Sequence, residues 1–295
     1  IEENISAEQV EDAIRIMNED FNLLNNDLEN VSGAFEDIIG NVNVEFRLAQ
    51  LDPNGNCSNG ITRTFSNMTN QADDCIKDLI NWDDTKYLNI WVVEDISSEI
   101  NAAAYTYLPS SPYVIHGIVA NHQYVGSIGS SSNSAYARHT LTHEAGHFFN
   151  LSHTWGGYAP NGDPDNCSND DDVEDTPNTI GANSSCNLSQ ESCQSLDNIQ
   201  NFMDYASCTC MFTEGQVARM QNCLNSSVSG RDNLWQEDNL YDTGVGDNFT
   251  NFICNPNVDF FISEPERICM FSPITLINNS EILGENPVFS WSFFG

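Results

Sequence analysis

Apolar residues at Val10, Ile14, Met17, Phe21 and Leu24 recur at helical spacing after a Ser6 to Gln9 capping box, so the chain is expected to open with a long amphipathic helix. Val42, Val44, Phe46 and Leu48 then alternate with polar neighbours, as a half-buried strand does, and YLNIWVVE at 87–94 reads as a more buried strand. Residues 70–80 predict a second helix carrying Cys75, and 115–125 another strand. The run GSIGSSSNS that follows lacks the Lys of a phosphate loop and reads as a flexible approach to the next helix, from near Ser134 to Asn150. Periodicity fades over 156–201, where Asp, Asn, Ser, Gly and Cys predominate. It returns in a helix capped by Thr213 and Gln216 and continued by Val217, Met220 and Leu224. Beyond Asn255, VDFFIS, CMFSPITLI and VFSWSFF suggest short strands, too few for an independent sandwich.

The helix from Ser134 ends in HEAGHFFNLSH, His143 to His153. His143 and His147 lie four residues apart and so share one helix face, where two imidazoles can grip one cation. His153 supplies a third. Three His ligands leave the fourth tetrahedral position of a zinc ion open to water, the arrangement of catalytic rather than structural zinc. Glu144 stands beside that face. Asn150 occupies the place where the elongated motif has Gly, and Asn tolerates the left-handed turn required there. His139 is one turn earlier, but 139 and 147 are about 12 Å apart along a helix, so both cannot hold an ion that His143 also binds. It is expected behind the ligands or on the surface. His116 and His122 have no ligand spacing and read as strand or loop residues.

Against 43 Asp and Glu stand nine Lys and Arg, a formal charge of −34, which disfavours nucleic acid and anionic membranes as partners. Solubility in salt would account for the charge without any function. No run approaches the ~20 apolar residues of a membrane span. Ten Cys without a CxxC pair read as disulfides, which implies an oxidising compartment and export.

Downstream of the zinc motif, NFMDY at 201–205 and MFTEGQVARM at 211–220 follow. Taken with HEAGHFFNLSHTWGG, with DPNGNCSNGITRT at 52–64 and with KYLNIWV at 86–92, they resemble the pappalysin family of metzincin proteases over residues 5–225. The resemblance implies an α/β (α+β) catalytic domain of two lobes. Its parts would be a mixed twisted sheet, a long N-terminal helix, the zinc helix and an irregular disulfide-stapled C-terminal part. It would span 1–250, with 251–295 an incomplete β-rich domain of the polycystic-kidney-disease type. It implies His143, His147 and His153 as zinc ligands, Glu144 as general base toward a zinc-activated water, Met203 as the Met-turn, and Tyr205 as a donor to the oxyanion. The acidic run DPDNCSNDDDVEDTP at 163–177 is similar to the family's calcium loop, with Asp172, the Val173 carbonyl, Asp175 and Thr176 as ligands; otherwise it is a solvated face. Cys167 would pair with Cys193, and Cys186 with Cys208 or Cys210. Cys57 with Cys75, and Cys254 with Cys269, are local expectations. The function implied is that of a secreted, monomeric zinc endopeptidase acting on protein or peptide substrates, which would add to a sheet edge at 115–125. The alternative is a noncatalytic zinc-containing adhesion or matrix-binding module, which would need no base beside the metal.

Overall fold

The N-terminal periodicity closes into a helix, α1 (Ala7–Phe21), in a computed structural model that describes residues 4–157, 159–182, 184–247 and 249, together with strands at 260–262 and 276–278. Ser6 caps α1, its hydroxyl accepting from the Gln9 amide at 3.2 Å. The reciprocal half of the capping box is not made, because the Gln9 side chain is buried and has distant partners. It donates to the carbonyls of His122 and Val125 and accepts from the Ser130 amide. Asp12 accepts from both the amide and the hydroxyl of Ser127. The glycine and serine run expected to be flexible is therefore fastened to α1. Leu24 lies past the end of the helix and is 67% exposed, so it takes no part in the core.

Val42, Val44 and Phe46 do turn inward onto the core, yet they join no sheet. Side chains take the place of a neighbouring strand. Asn18 bonds both the amide and the carbonyl of Phe46, Asn22 donates to the Val44 carbonyl, and Gln221 donates to that of Val42. The sheet itself has three short strands, β1 (Ile90–Val93), β2 (Ala104–Thr106) and β3 (Ile118–Asn121), in the order β1-β3-β2. β1 runs parallel to β3, with Ile90 opposite Ile118; β2 runs antiparallel, with Ala104 opposite Ala120. The expected mixed sheet is present, but 115–125 supplies its middle strand rather than an edge. The edges are β1 and β2, the latter three residues and too short to register as alternation. Over 70–80 the chain makes only a 3-10 turn, Asp74–Asp78, capped by Asp73.

The motif-bearing helix, α2 (Ala135–Phe148), is capped by Ser134 and runs through the centre of the main core. Ala137, Leu141, Ala145 and Phe148 are buried on it, the last three in one cluster with Met17 and Phe21 of α1 and with Phe202, Met203 and Phe212. A further helix, α3 (Glu214–Leu224), has both halves of its capping box from Thr213 and Gln216 and adds Met220 and Leu224 to that core. Polar groups of α2 are buried too. His139 lies between Asp20 (Nδ1 to Oδ2, 2.8 Å) and Asp27 (Nε2 to Oδ2, 3.0 Å), and the Thr142 hydroxyl donates to the same Asp20 oxygen at 2.5 Å.

The irregular stretch is stapled by Cys167–Cys193 and Cys186–Cys208, and it contains a two-residue hairpin of β4 (Glu191–Ser192) and β5 (Ser195–Leu196). Cys210 is a buried free thiol, which settles the partner of Cys186. Cys57 is disulfide-bonded whereas Cys75 is an exposed free thiol on the 3-10 turn, so these two do not pair. Cys254 and Cys269 lie outside the described residues. The chain divides into two compact units, Ile1–Arg47 with Arg63–Asn239, and Leu48–Thr62 with Leu240–Gly295. In the second, the amides of Gln50 and Leu51 donate to the Thr243 carbonyl, and β6 (Phe260–Ile262) pairs antiparallel with β7 (Leu276–Asn278). Most of 251–295, including the expected domain of the polycystic-kidney-disease type, lies outside the described residues.

Burial alone would lower the pKa of His139, but Asp20 and Asp27 outweigh it and hold it at about 9. An unfolded His titrates near ~6.5, so the folded value is raised. The resulting stability is fully present below pH ~6.5 and is lost as pH rises through 9. The melting temperature of the wild-type protein should therefore fall more between pH 7 and pH 10 than that of His139→Gln. Parallel pH profiles for the two would show that the folded protein does not hold a protonated His139.

Candidate active site

α2 presents His143 and His147 one turn apart, with ring centroids 4.8 Å from each other. Asn150 then adopts φ 75°, the left-handed turn foreseen for it, and the chain swings back to deliver His153. The Nε2 atoms of His147 and His153 are 3.2 Å apart, and one nitrogen from each of the three rings lies within 4.8 Å of the others. A tetrahedral zinc ion with bonds of ~2.0–2.1 Å holds its donors about 3.3 Å apart, a spacing that His147 and His153 already have, and three imidazole nitrogens are the donor type of that ion. Among the described residues no other three His, Cys, Asp or Glu converge in this way.

Burial holds all three imidazoles neutral, the state in which they can bind a metal. It lowers His143 to about 3 with His147 adding to the effect, lowers His147, and takes His153 well below its ordinary value. Two rings are oriented by main-chain carbonyls. His143 Nδ1 donates to Phe202 O at 2.6 Å and His147 Nδ1 to Leu151 O at 2.8 Å, which leaves Nε2 of each available to a metal ion. His153 makes no such bond among the described residues. Its ring lies flat on Trp155, at 4.2 Å between centroids and 4° between planes.

Glu144 follows the first ligand and is buried. Burial pushes its carboxyl up to about 8; the Thr106 hydroxyl of β2 lies near enough to temper the rise, yet neither that hydroxyl nor Glu144 Oε2 has a hydrogen-bond partner among the described residues. An unpaired buried carboxylate oxygen is costly and marks a functional group. Met203 is wholly buried beneath the helix, and Gly146 makes the room: a Cβ there would collide with the Met203 sulfur. The Tyr205 ring lies 5.5 Å from His143 and 5.0 Å from His153, its phenol pKa raised by burial and by Tyr136 and Glu144 nearby. His139, by contrast, faces α1 and belongs to the core.

In the acidic loop the four expected calcium ligands do not act alike. The Thr176 hydroxyl lies 2.7 Å from both Asp171 Oδ1 and the Val173 carbonyl. Asp175 accepts from the Thr213 hydroxyl and the Gly215 amide, holding the start of α3, and the exposed Asp172 sits in a left-handed turn. Sequence reasoning missed four contributors: Asp171, Thr106, Trp155 and Arg219, whose Nε donates to the Asn150 carbonyl at 2.7 Å. Of these only Trp155, an aromatic two residues past the last ligand, left a legible signal.

The model of the M43 peptidase family, described as pregnancy-associated plasma protein-A, matches residues 70–225. An extracellular metalloprotease of Neurospora crassa is 37% identical over 153 residues, covering 48% of this chain and 49% of that protein. One from Colletotrichum graminicola is 35% identical over 150 residues, covering 47% and 49%. Among solved structures, mature mirolysin of Tannerella forsythia in complex with a cleaved peptide is 34% identical with a TM-score of 0.67, covering 81% of this chain and 92% of that one. The chain belongs to the pappalysin family of metzincin metalloproteases. It spans about half the length of the curated relatives it matches.

The packing of Gly146 on Met203 sets a direct expectation. Ala favours helix over Gly, yet Gly146→Ala should destabilise the protein by about 1–3 kcal/mol, the usual cost of overpacking a filled core. Chemical denaturation of the metal-free protein measures it. A Gly146→Ala protein as stable as wild type would show that Met203 has room to move.

Proposed function

We propose that this protein is a secreted zinc endopeptidase that hydrolyses peptide bonds with Glu144 as general base. The observation that carries the reading is a buried carboxylate, unpaired at Oε2, next to three converging neutral imidazoles. Family membership, the extracellular relatives and the disulfides support it. A purely structural or adhesive zinc module would have no use for Glu144 in that position.

Zinc held by His143, His147 and His153 would supply a Lewis acid that acidifies a water and polarises the scissile carbonyl. The chain's own residues do the rest. Burial raises Glu144 above the ordinary carboxylate range, and the charge of a bound zinc ion would favour its ionised form, in which it takes a proton and returns it to the leaving amine. Tyr205, beside two of the ligands, donates to the oxyanion, and Met203 forms the apolar floor as the Met-turn. The peptide substrate adds to β2, an edge of the sheet, whose Thr106 lies near Glu144. The protein acts as a monomer through a catalytic domain at 1–250.

Calcium is a second cofactor in this reading, held at the acidic loop by oxygens of Asp171, Asp172, Val173, Asp175 and Thr176. Burial raises Asp171 to about 7, a cost that a bound cation relieves.

Two experiments test the reading. Glu144→Gln should bind zinc as the wild type does while its turnover falls by about 10²–10⁴, the usual worth of a general base. Near-normal hydrolysis by that zinc-loaded variant would sink the mechanism. Withdrawing calcium with zinc retained should lower the melting temperature, since a ligand at a hundredfold excess over Kd adds about 2.7 kcal/mol to stability. An unchanged melting curve would remove calcium from the reading.

A further inference from the structure

The three imidazoles of the metal site are not held in the same way. His143 and His147 each spend Nδ1 on a main-chain carbonyl, whereas His153 has no hydrogen-bond partner for Nδ1 among the described residues. Ligating histidines are ordinarily fixed by such a bond, and its loss leaves a ring free to turn about its own side-chain axis. His153 meets a flat surface instead. The Trp155 indole lies parallel to it, 4.2 Å away and tilted by only 4°. Trp155 is itself 3% exposed and boxed in. Tyr205 packs its ring across it at 4.8 Å and 73°. Gly181 lies against its six-membered ring so closely that a Cβ at 181 would come within 2.8 Å of Trp155 Cε3. The indole has no space to tilt, so neither does the ring stacked on it.

We propose that Trp155 is a positioning residue of the metal site, fixing the plane of the third ligand by face stacking where the first two are fixed by hydrogen bonds. It touches neither substrate nor ion. Its action is through His153, and through the Tyr205 ring that rests on the same indole. The proposal builds on the zinc reading above.

The test compares zinc-loaded wild type with Trp155→Leu and Trp155→Phe, by the rate of metal transfer to an excess of chelator. Loss of a group that orients a ligand costs about 10–100-fold in metal affinity, so Trp155→Leu should release zinc at least ~10-fold faster, and Trp155→Phe, which keeps a ring to stack, should recover most of the difference. The cobalt-substituted proteins give a second readout: the visible bands that report ligand geometry should shift in Trp155→Leu and stay near wild type in Trp155→Phe. Val93→Ala, a cavity in a separate cluster beneath β1, should release zinc at the wild-type rate and so separates ligand positioning from general loosening. If Trp155→Leu does not fold, Trp155→Met, which keeps more volume without a ring, is read in its place. Wild-type release rates and an unchanged cobalt spectrum in the ringless variant would overturn the proposal. A wild-type protein that takes up no zinc would overturn the zinc reading as well, so the two failures are told apart.

Discussion

α2 is buried on its polar side as well as its apolar one, so each polar group on it must find a partner inside the protein. That requirement organises what surrounds it. Asp20 and Asp27 take His139, Asp20 also takes Thr142, and Thr140 bonds back to the Tyr136 carbonyl. His143 reaches the Phe202 carbonyl, and that bond ties the helix to the segment that carries Met203. The one fully buried side-chain oxygen of α2 left unpaired among the described residues is Glu144 Oε2. The protein satisfies the helix around Glu144 and leaves Glu144 itself unsatisfied, and burial holds that carboxyl above its ordinary range.

What the sequence made legible was local. The caps at Ser6 and Thr213, the three-histidine spacing and the left-handed turn at Asn150 each depend on residues a few positions apart, and each is found where the pattern placed it. What it concealed was long-range. Alternation over 42–46 correctly marked the inward residues, but nothing in it could reveal that Asn18, Asn22 and Gln221 would replace a neighbouring strand. The run at 126–134 looked loose because its anchors, Gln9 and Asp12, are more than a hundred residues away. His139 looked peripheral for the same reason. Its carboxylate partners are on α1 and just beyond it.

The stretch over 156–201 follows a different economy. With little apolar periodicity, it is held by two disulfides and by short side-chain to backbone bonds, such as those of Asn166 and Asp197. Bonds of this kind depend little on residue order, which is why pattern reading found no elements here. The stretch still carries a packing role: Gly181 closes the slot that holds Trp155.

Asn150 shows how these layers meet. A residue other than Gly at φ 75° carries a steric cost, and the family pattern avoids it with Gly. Here Arg219 of α3 donates from Nε to the Asn150 carbonyl at 2.7 Å, fixing the turn from outside. The same guanidinium reaches the Asp172 carbonyl at 3.5 Å, at a second left-handed residue, in the acidic loop. The exit from the zinc helix and the acidic loop thus share one side chain, which is rooted in a helix whose first turn is held by Asp175.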